Sequence, residues 1–520
     1  MLRQPAGVNI SLCIYRTEGN DRVINGRVFY SGNYFEVVES YGIPGTPVIA
    51  NIVRNEYLSL YYVQEPELDD LQRSILCMIM SALPEIVMSK RKIGRINTDI
   101  IKDIIVKSVE DSTALDKSSI EKISYYILRD TTGYGTIDPL IRDPEIEDVS
   151  CSGPEMPIYV YHRSYGNLMT NRTFKYGRQL DNFVVSLAQK GGKMITASEP
   201  ILDSTTPEGH RVSATLGKEV TSRGSSFSIR LFRNSPLTPV DLIRTGTATS
   251  ERMAFLWLAV ETRRNILVIG ESGAGKTTTL NSVSFFIPPW SKLVSIEEVR
   301  ELNIPHRNWI PAVTRGISIG EREQEPSSPD VIDMFDLLRM ALRHRPEYLI
   351  IGEIRGREAY SLFQAMSTGQ TTLATIHADS LQSLINRLEN PPLSIPTSML
   401  SSIDILVKVS QAKFAGKVGR RISAVTAMGG LSKEYGDISA QGVFEWDQRE
   451  DKIRFLYPRP YMRILSKQIG LEESELINEI SNRANFLSAL LGKTEQFSRP
   501  QDIFSIIHSF RYQPKERGGD

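Results

Sequence analysis

Along the C-terminal half of the chain, short apolar runs alternate with stretches whose apolar residues recur at helical spacing. Asn265-Ile266-Leu267-Val268-Ile269 is apolar and β-branched, the pattern of a buried strand. Residues 278–286 follow, with Leu280, Val283 and Phe286 on one helical face. The series continues as strand 293–296, helix 331–343, strand 348–351, helix 357–367, strand 371–376 and helix 381–389. A helix over 251–261 precedes it. This alternation predicts an α/β layered domain with a mainly parallel sheet. Beyond about residue 429, Val443-Phe444-Glu445-Trp446 and Ile453-Arg454-Phe455-Leu456 predict a hairpin, and helical patterns run on to residue 520.

The N-terminal half reads differently. Residues 1 to about 70 are β-rich and irregular, with Tyr57-Leu58-Ser59-Leu60-Tyr61-Tyr62-Val63 a clear strand. Helical spacing then takes over: Leu71, Ile75, Met78 and Ile79 after Asp69-Asp70; Ile100, Ile101, Ile104, Ile105 and Val109; and Ile120, Ile123, Ile127 and Leu128. These helices are expected to pack together or on the preceding strands. A second β-containing unit starts near Gly133: residues 136–140 are followed by 146–151, then come strands over 158–161, 211–216 and 226–232 and a helix over 183–190. Asn234-Ser235-Pro236-Leu237-Thr238-Pro239 reads as a linker. The expected division is 1–130, 131–234 and 235–520, the last including a C-terminal helical part.

Composition narrows the partners. A chain of 520 residues is too long for one core. Lys plus Arg is 61 and Asp plus Glu is 61, so the net charge is +0, with no global field for nucleic acid or anionic membrane. Cys13, Cys77 and Cys151 are scattered without a C-x-x-C pair, which suggests neither a disulfide framework nor a cysteine zinc site and fits a reduced cytoplasmic setting. The most apolar stretch, 75–88, is short and contains Ser81, Pro84 and Glu85, so no membrane span is expected. The N-terminus lacks a secretory signal pattern.

The strand at 265–269 runs into Gly270-Glu271-Ser272-Gly273-Ala274-Gly275-Lys276-Thr277-Thr278, which fits the phosphate-loop pattern G-x-x-x-x-G-K-[ST] at every fixed position. Strand, glycine loop and helix are the context this motif needs. Backbone N–H groups can then curl round phosphates, and the helix N-terminus adds partial positive charge. Lys276 would reach the β- and γ-phosphates and the Thr277 hydroxyl would ligate Mg²⁺. Hydrolysis also needs carboxylates and cations. Ser295-Ile296-Glu297-Glu298-Val299-Arg300-Glu301 puts carboxylates at a strand's C-terminal end, where ligands of open α/β sheets bind. Leu349-Ile350-Ile351-Gly352-Glu353 has the form of a Walker B strand, with Glu353 as metal-shell or water-orienting group. Thr371-Thr372-Leu373-Ala374-Thr375-Ile376-His377 ends in a histidine that is either structural or a γ-phosphate sensor. Arg339, Arg343 and Arg345 lie on an exposed helix face or act as arginine fingers. Arg211, Arg223, Arg230 and Arg233 are scattered surface charge or an arginine-lined face for phosphate.

In this order the segments resemble the secretion ATPase superfamily, which powers type II secretion, type IV pilus assembly and retraction, archaeal pili and archaella and, in a related branch, type IV secretion. Ser295 to Glu301 resembles its acidic box, Gly352-Glu353-Ile354-Arg355-Gly356-Arg357-Glu358 its Walker B signature and Thr375-Ile376-His377-Ala378 its histidine box. Upstream, Tyr134-Gly135-Thr136-Ile137-Asp138-Pro139-Leu140, Asp143 to Ser150 and Pro207-Glu208-Gly209-His210-Arg211-Val212 resemble the family's second N-terminal domain. The wording of Ile158-Tyr159-Val160-Tyr161-His162-Arg163 is nearest the archaeal branch, which includes the archaellum motor ATPase. The resemblance covers roughly residues 55–430. Bacterial members often carry an earlier histidine where this chain has Gln370, and many carry a tetracysteine zinc element that it lacks.

The resemblance implies a RecA-like P-loop ATPase core with a mainly parallel sheet. A smaller α+β, PAS-like domain and an N-terminal α/β region that binds partners would precede it. It implies a cytoplasmic homo-hexamer, held at the inner face of the cell membrane by a polytopic platform protein, using ATP and Mg²⁺ to drive pilin-like subunits. Catalytic roles fall on Glu301, Glu353, His377, Arg211, Arg223, Arg230 and Arg343, and metal binding on Thr277 and Glu353. Two other readings of the residues stay open. One is a nucleic-acid translocase on a similar core, which zero net charge and the lack of a basic–aromatic run disfavour. The other is an inactive assembly scaffold.

Overall fold

A computed structural model describes residues 22–24, 27–91, 116–232, 236–315, 332–391, 393–414, 417–431, 438–492, 497 and 499–512. The chain divides into two compact units, Met1–Phe232 and Arg233–Asp520.

The N-terminal unit is built on one eleven-stranded sheet. Its strands are β1 (Arg22–Ile24), β2 (Arg27–Tyr30), β3 (Asn33–Gly42), β4 (Ile49–Arg54), β5 (Ser59–Gln64), β6 (Ile146–Cys151), β7 (Pro157–His162), β8 (Gly166–Thr173), β9 (Ile201–Thr205), β10 (Arg211–Thr215) and β11 (Ser226–Arg230). Their order is β1-β2-β3-β4-β5-β8-β7-β6-β11-β10-β9. β5 and β8 run parallel, with Leu60 opposite Met169 and Tyr61 opposite Thr170, and so join the strands of residues 22–64 to those of 146–230. The helices Asp70–Arg91 and Lys117–Thr131 pack on each other and on this sheet: Ile75, Leu76, Ile79, Ile123 and Ile127 share one core with Ile52, Tyr61 and Val63. Asp116 starts the second helix by accepting a hydrogen bond from the Ser119 N–H at 3.3 Å. The helical pattern of Ile100 to Val109 lies outside the described residues.

Two buried carboxylates tie this unit together. Glu65 accepts from Arg129 at 2.8 Å and Tyr125 at 2.7 Å, and its other oxygen lies 2.8 Å from Arg172. Asp143 accepts from the hydroxyls of Tyr41 and Tyr61 on one oxygen and from the Glu145 N–H at 2.8 Å on the other.

The C-terminal unit carries a nine-stranded sheet in the order β14-β13-β15-β16-β12-β17-β18-β19-β20. The strands are β12 (Ile266–Gly270), β13 (Leu293–Glu297), β14 (Trp309–Val313), β15 (Tyr348–Ile351), β16 (Thr371–His377), β17 (Ile405–Phe414), β18 (Lys417–Leu431), β19 (Ile438–Asp447) and β20 (Lys452–Phe455). From β14 to β17 neighbours are parallel; from β17 to β20 they are antiparallel. The predicted parallel sheet is therefore present and extended by an antiparallel edge. β12, β13 and β15 are buried along their whole length, which is why β12 and β15 read as apolar runs and β13 as one interrupted only by Ser295 before Glu297.

Alternate residues of these strands face two cores. Ile266, Val268, Ile350 and Leu373 point to the side covered by the helices Ser250–Glu261, Lys276–Ser284, Arg459–Ile469 and Glu473–Leu491. Leu267, Ile269, Leu349 and Ala374 point to the side covered by Met334–Arg343, Glu358–Ser367 and Leu381–Glu389. The result is the three-layer α/β/α arrangement expected of a RecA-like core. Trp257 of the central helix stacks on Phe286, centroids 5.3 Å apart, under the Arg483 guanidinium. The predicted linker ends as structure instead: Thr238 and Asp241 form a capping box that opens the helix Pro239–Arg244.

Candidate active site

The glycine loop leaves the C-terminal end of β12 and enters the helix Lys276–Ser284. Glycine is required at its first position by close approach: a Cβ on Gly270 would lie 2.4 Å from the Val409 carbonyl oxygen of β17. Gly275 is required by conformation, since φ is +99° where it caps the helix. No side chain caps that helix at Gly275, and the first N–H groups of a helix have no intrahelical partner, which suits its N-terminus to an anion. The loop is closed by a turn in which the Ala274 N–H donates to the Glu271 carbonyl at 3.3 Å. Lys276 is buried, with Nζ donating to the same carbonyl at 2.9 Å and lying 3.0 Å from His377 Nδ1. Glu271, Ser272 and Gly273 are exposed, and Thr277 and Thr278 half-buried at the helix start.

The ends of β15 and β16 bring the predicted carboxylate and histidine to that lysine. An ammonium group only donates, so His377 Nδ1 accepts; in the neutral ring the proton then sits on Nε2, which lies 3.1 Å from Glu353 Oε1. Burial, together with Lys276, Arg355 and Arg387, lowers the His377 pKa against the pull of Glu353, which keeps the ring neutral. Burial opposes the charge on Glu353, but the hydrogen bond and charge of Arg355, with His377 and Lys276, outweigh it and hold the carboxyl below its usual range. Arg355 donates to Glu353 Oε2 at 2.7 Å and to Glu298 at 2.9 Å. Glu353 Oε1 is enclosed and accepts no hydrogen bond; the His377 contact has the distance but not the alignment. Gln370 lies at the opposite end of β16, donating to the Pro346 carbonyl at 3.1 Å.

In the acidic segment the enclosed carboxylate is Glu297, the last residue of β13, and Glu301 is exposed. Glu297 Oε1 accepts from the N–H groups of Glu301 and Leu302, both at 2.9 Å, while Oε2 is buried with no donor. Burial, aided by the nearby Glu301 and opposed by those two N–H groups, pushes its pKa up to about 7. Its side chain packs over Gly352: a Cβ there would sit 3.0 Å from Glu297 Cγ. The glycine before Glu353 thus makes room for the second carboxylate. Sequence reasoning placed Glu297 in the acidic segment without singling it out. Its signal was its place at the end of an apolar strand beside that glycine.

The arginines divide into groups. Arg211 and Arg230 face each other across β10 and β11, paired with Asp203 at 3.5 Å and Asp148 at 3.4 Å. Arg223 lies in the turn at the other end of that hairpin, roughly 14 Å along the strands at 3.4 Å per residue, its Cβ against Gly153. In the C-terminal unit, Arg339 and Arg343 line an open groove of about 370 Å³ with Asp336, Met340 and His344; no loop residue lines it.

A nucleotide and its divalent cation fit this arrangement. The glycine loop offers a helix N-terminus with no side-chain cap and the Lys276 ammonium, and Glu353 offers an ionised oxygen with no donor of its own. Among the described residues no cluster of three or more His, Cys, Asp or Glu side chains could hold a metal by itself.

Residues 131–415 match the family described as Type II/IV secretion system protein. The uncharacterized protein MJ0900 of Methanocaldococcus jannaschii is 34% identical over 394 residues, covering 75% of this chain and 70% of that protein. A second uncharacterized protein of that organism, MJ1287, is 42% identical over 252 residues, 48% of this chain and 91% of its own length. The X-ray structure of the Legionella pneumophila ATPase DotB aligns with 70% of this chain and 92% of its own at 14% identity and a TM-score of 0.36.

Proposed function

The chain belongs to the type II/IV secretion system protein family, the secretion ATPases, and from that premise we propose that it hydrolyses ATP to drive assembly or secretion of pilin-like subunits. The observation that carries this reading is Glu353 Oε1, enclosed, ionised and without a donor, one histidine away from the lysine of a glycine loop. Gly270 to Thr278 would cradle the phosphates, and Lys276 would leave the Glu271 carbonyl and His377 for phosphate oxygens. Thr277 and Glu353 would hold Mg²⁺, which when bound neutralises charge developing on the phosphates. Glu353 would orient water, its side chain held by Arg355 at 2.7 Å with neutral His377 beside it. Glu301, at the mouth of the acidic segment, keeps its proposed catalytic role beside buried Glu297.

Arg211, Arg223 and Arg230 are proposed to reach the nucleotide from the N-terminal unit, and Arg343 to reach it across a subunit boundary of a homo-hexamer. Residues 1–130 would meet partners, among them a polytopic membrane platform protein. No helix among the described residues is long and apolar enough to cross a membrane, and the proposed location is cytoplasmic, peripheral to the membrane's inner face. ATP turnover by the purified chain, lost by at least about 100-fold in Lys276→Ala, is the expected result. Equal turnover by wild type and Lys276→Ala removes the assignment. Binding without hydrolysis, even with partners, favours a scaffold, and DNA-stimulated, salt-sensitive turnover favours a translocase.

A further inference from the structure

The β17–β18 hairpin passes directly beside the phosphate loop. Its register slips between Lys408 and Val409, leaving Ser423 of β18 as an extra residue; such bulges bend a hairpin. At that bend the Val409 carbonyl comes against Gly270, and Arg420 of β18 lies along the loop. Arg420 Nε donates to the Gly273 carbonyl at 3.0 Å, and its Cδ would be 3.2 Å from a Cβ on Gly275. The Arg420 main chain is itself held. Arg421 donates to its carbonyl at 3.0 Å and grips both oxygens of Asp451 at 2.9 and 2.8 Å, while the Ile422 N–H donates to Thr247 at 2.8 Å.

We propose that Arg420 is a positioning residue of the nucleotide site, bracing the Gly273–Ala274 peptide so that the loop is preformed for phosphate. The inference rests on the ATP-binding reading above. A trans peptide points its C=O and N–H in opposite directions, so fixing the Gly273 carbonyl fixes the Ala274 N–H that closes the Glu271–Ala274 turn. Gly273 has φ of +73° and a loop of glycines samples many shapes, so an unbraced loop must be ordered by the nucleotide, and affinity falls by that cost. The bond from Arg420 is to the main chain of the phosphate loop at Gly273, so affinity should fall more than turnover.

Calorimetry of the full chain with ATPγS and Mg²⁺, alongside steady-state hydrolysis, tests this. Arg420→Met keeps the aliphatic stem over Gly275 and removes the donor. It is expected to raise Kd and KM about tenfold, the value of one charge-assisted hydrogen bond, with kcat within about twofold. Arg420→Lys, which keeps a donor, should recover most of the loss. Should the Met variant not fold, Arg420→Leu, which also lacks a donor, carries the same comparison with Arg420→Lys. Wild-type affinity in Arg420→Met, or a loss of kcat at unchanged affinity, overturns the inference and leaves the proposed function standing. A wild-type chain that binds no ATPγS removes both.

Discussion

Glu65 in the N-terminal unit, an enclosed carboxylate, and Glu353 in the C-terminal unit, a half-buried one, are both held ionised by arginine, yet their surroundings end differently. Burial works against the charge on Glu65, but Arg172 and Arg129 outweigh it and hold the carboxyl at about 2. Both of its oxygens are engaged by the protein. Asp143, in the same unit, is likewise satisfied on both oxygens. Glu353 and Glu297, on adjacent strand ends of the other unit, each leave one buried oxygen without a donor. A buried acceptor with no partner costs about 1–3 kcal/mol, and a structural carboxylate has no reason to carry that cost. The difference separates carboxylates that hold the fold from carboxylates that wait for something outside it.

Glu65→Gln should sharpen this contrast most. It removes the anion that Arg172 and Arg129 share, leaving Arg129 with Asp130 alone, and the expected loss of stability is about 3 kcal/mol, read by chemical denaturation, with ATP turnover per folded molecule unchanged. The same pair predicts an acid response. Because the folded pKa of Glu65 is depressed, its contribution is present above the ordinary 4.5 and is lost as pH falls toward 2. A Glu65→Gln chain as stable as wild type would break the comparison.

Glu297 should respond in the opposite sense and somewhat less. Its folded pKa lies near 7 against an ordinary 4.5, so the folded form binds the proton more tightly. Its stabilising share is fullest below 4.5 and is lost as pH rises through 7. Glu297→Gln should flatten that slope and add about 2 kcal/mol at pH 8, seen in melts across pH 5 to 8. An unchanged slope would show that Glu297 is solvated rather than enclosed.

The two halves of the site were not equally readable from the chain. The phosphate loop is legible because its chemistry is local: strand, glycines, lysine and helix follow one another in sequence. β12 and β15 are legible because burial on both faces leaves no polar interruption, and β13 because Ser295 is its one polar residue before Glu297. β17 and β18 escape this reading, since Lys408, Ser410, Arg420 and Ser423 break their apolar pattern. β14 escapes because Pro311 sits in an edge strand, where a missing N–H is tolerated. Glu297 and Arg420 could not be picked out by spacing. The burial of Glu297 depends on Gly352 of a neighbouring strand, and the role of Arg420 on a hairpin bent across Gly273 and Gly275.

ATP binding and hydrolysis by Glu353→Gln, measured together on the full chain with Mg²⁺, test the central claim most directly. The amide keeps the size of the side chain and removes the ionised, donor-free oxygen. The expected result is nucleotide affinity within about threefold of wild type and turnover lower by about 10²–10³. Wild-type turnover in Glu353→Gln would contradict the account.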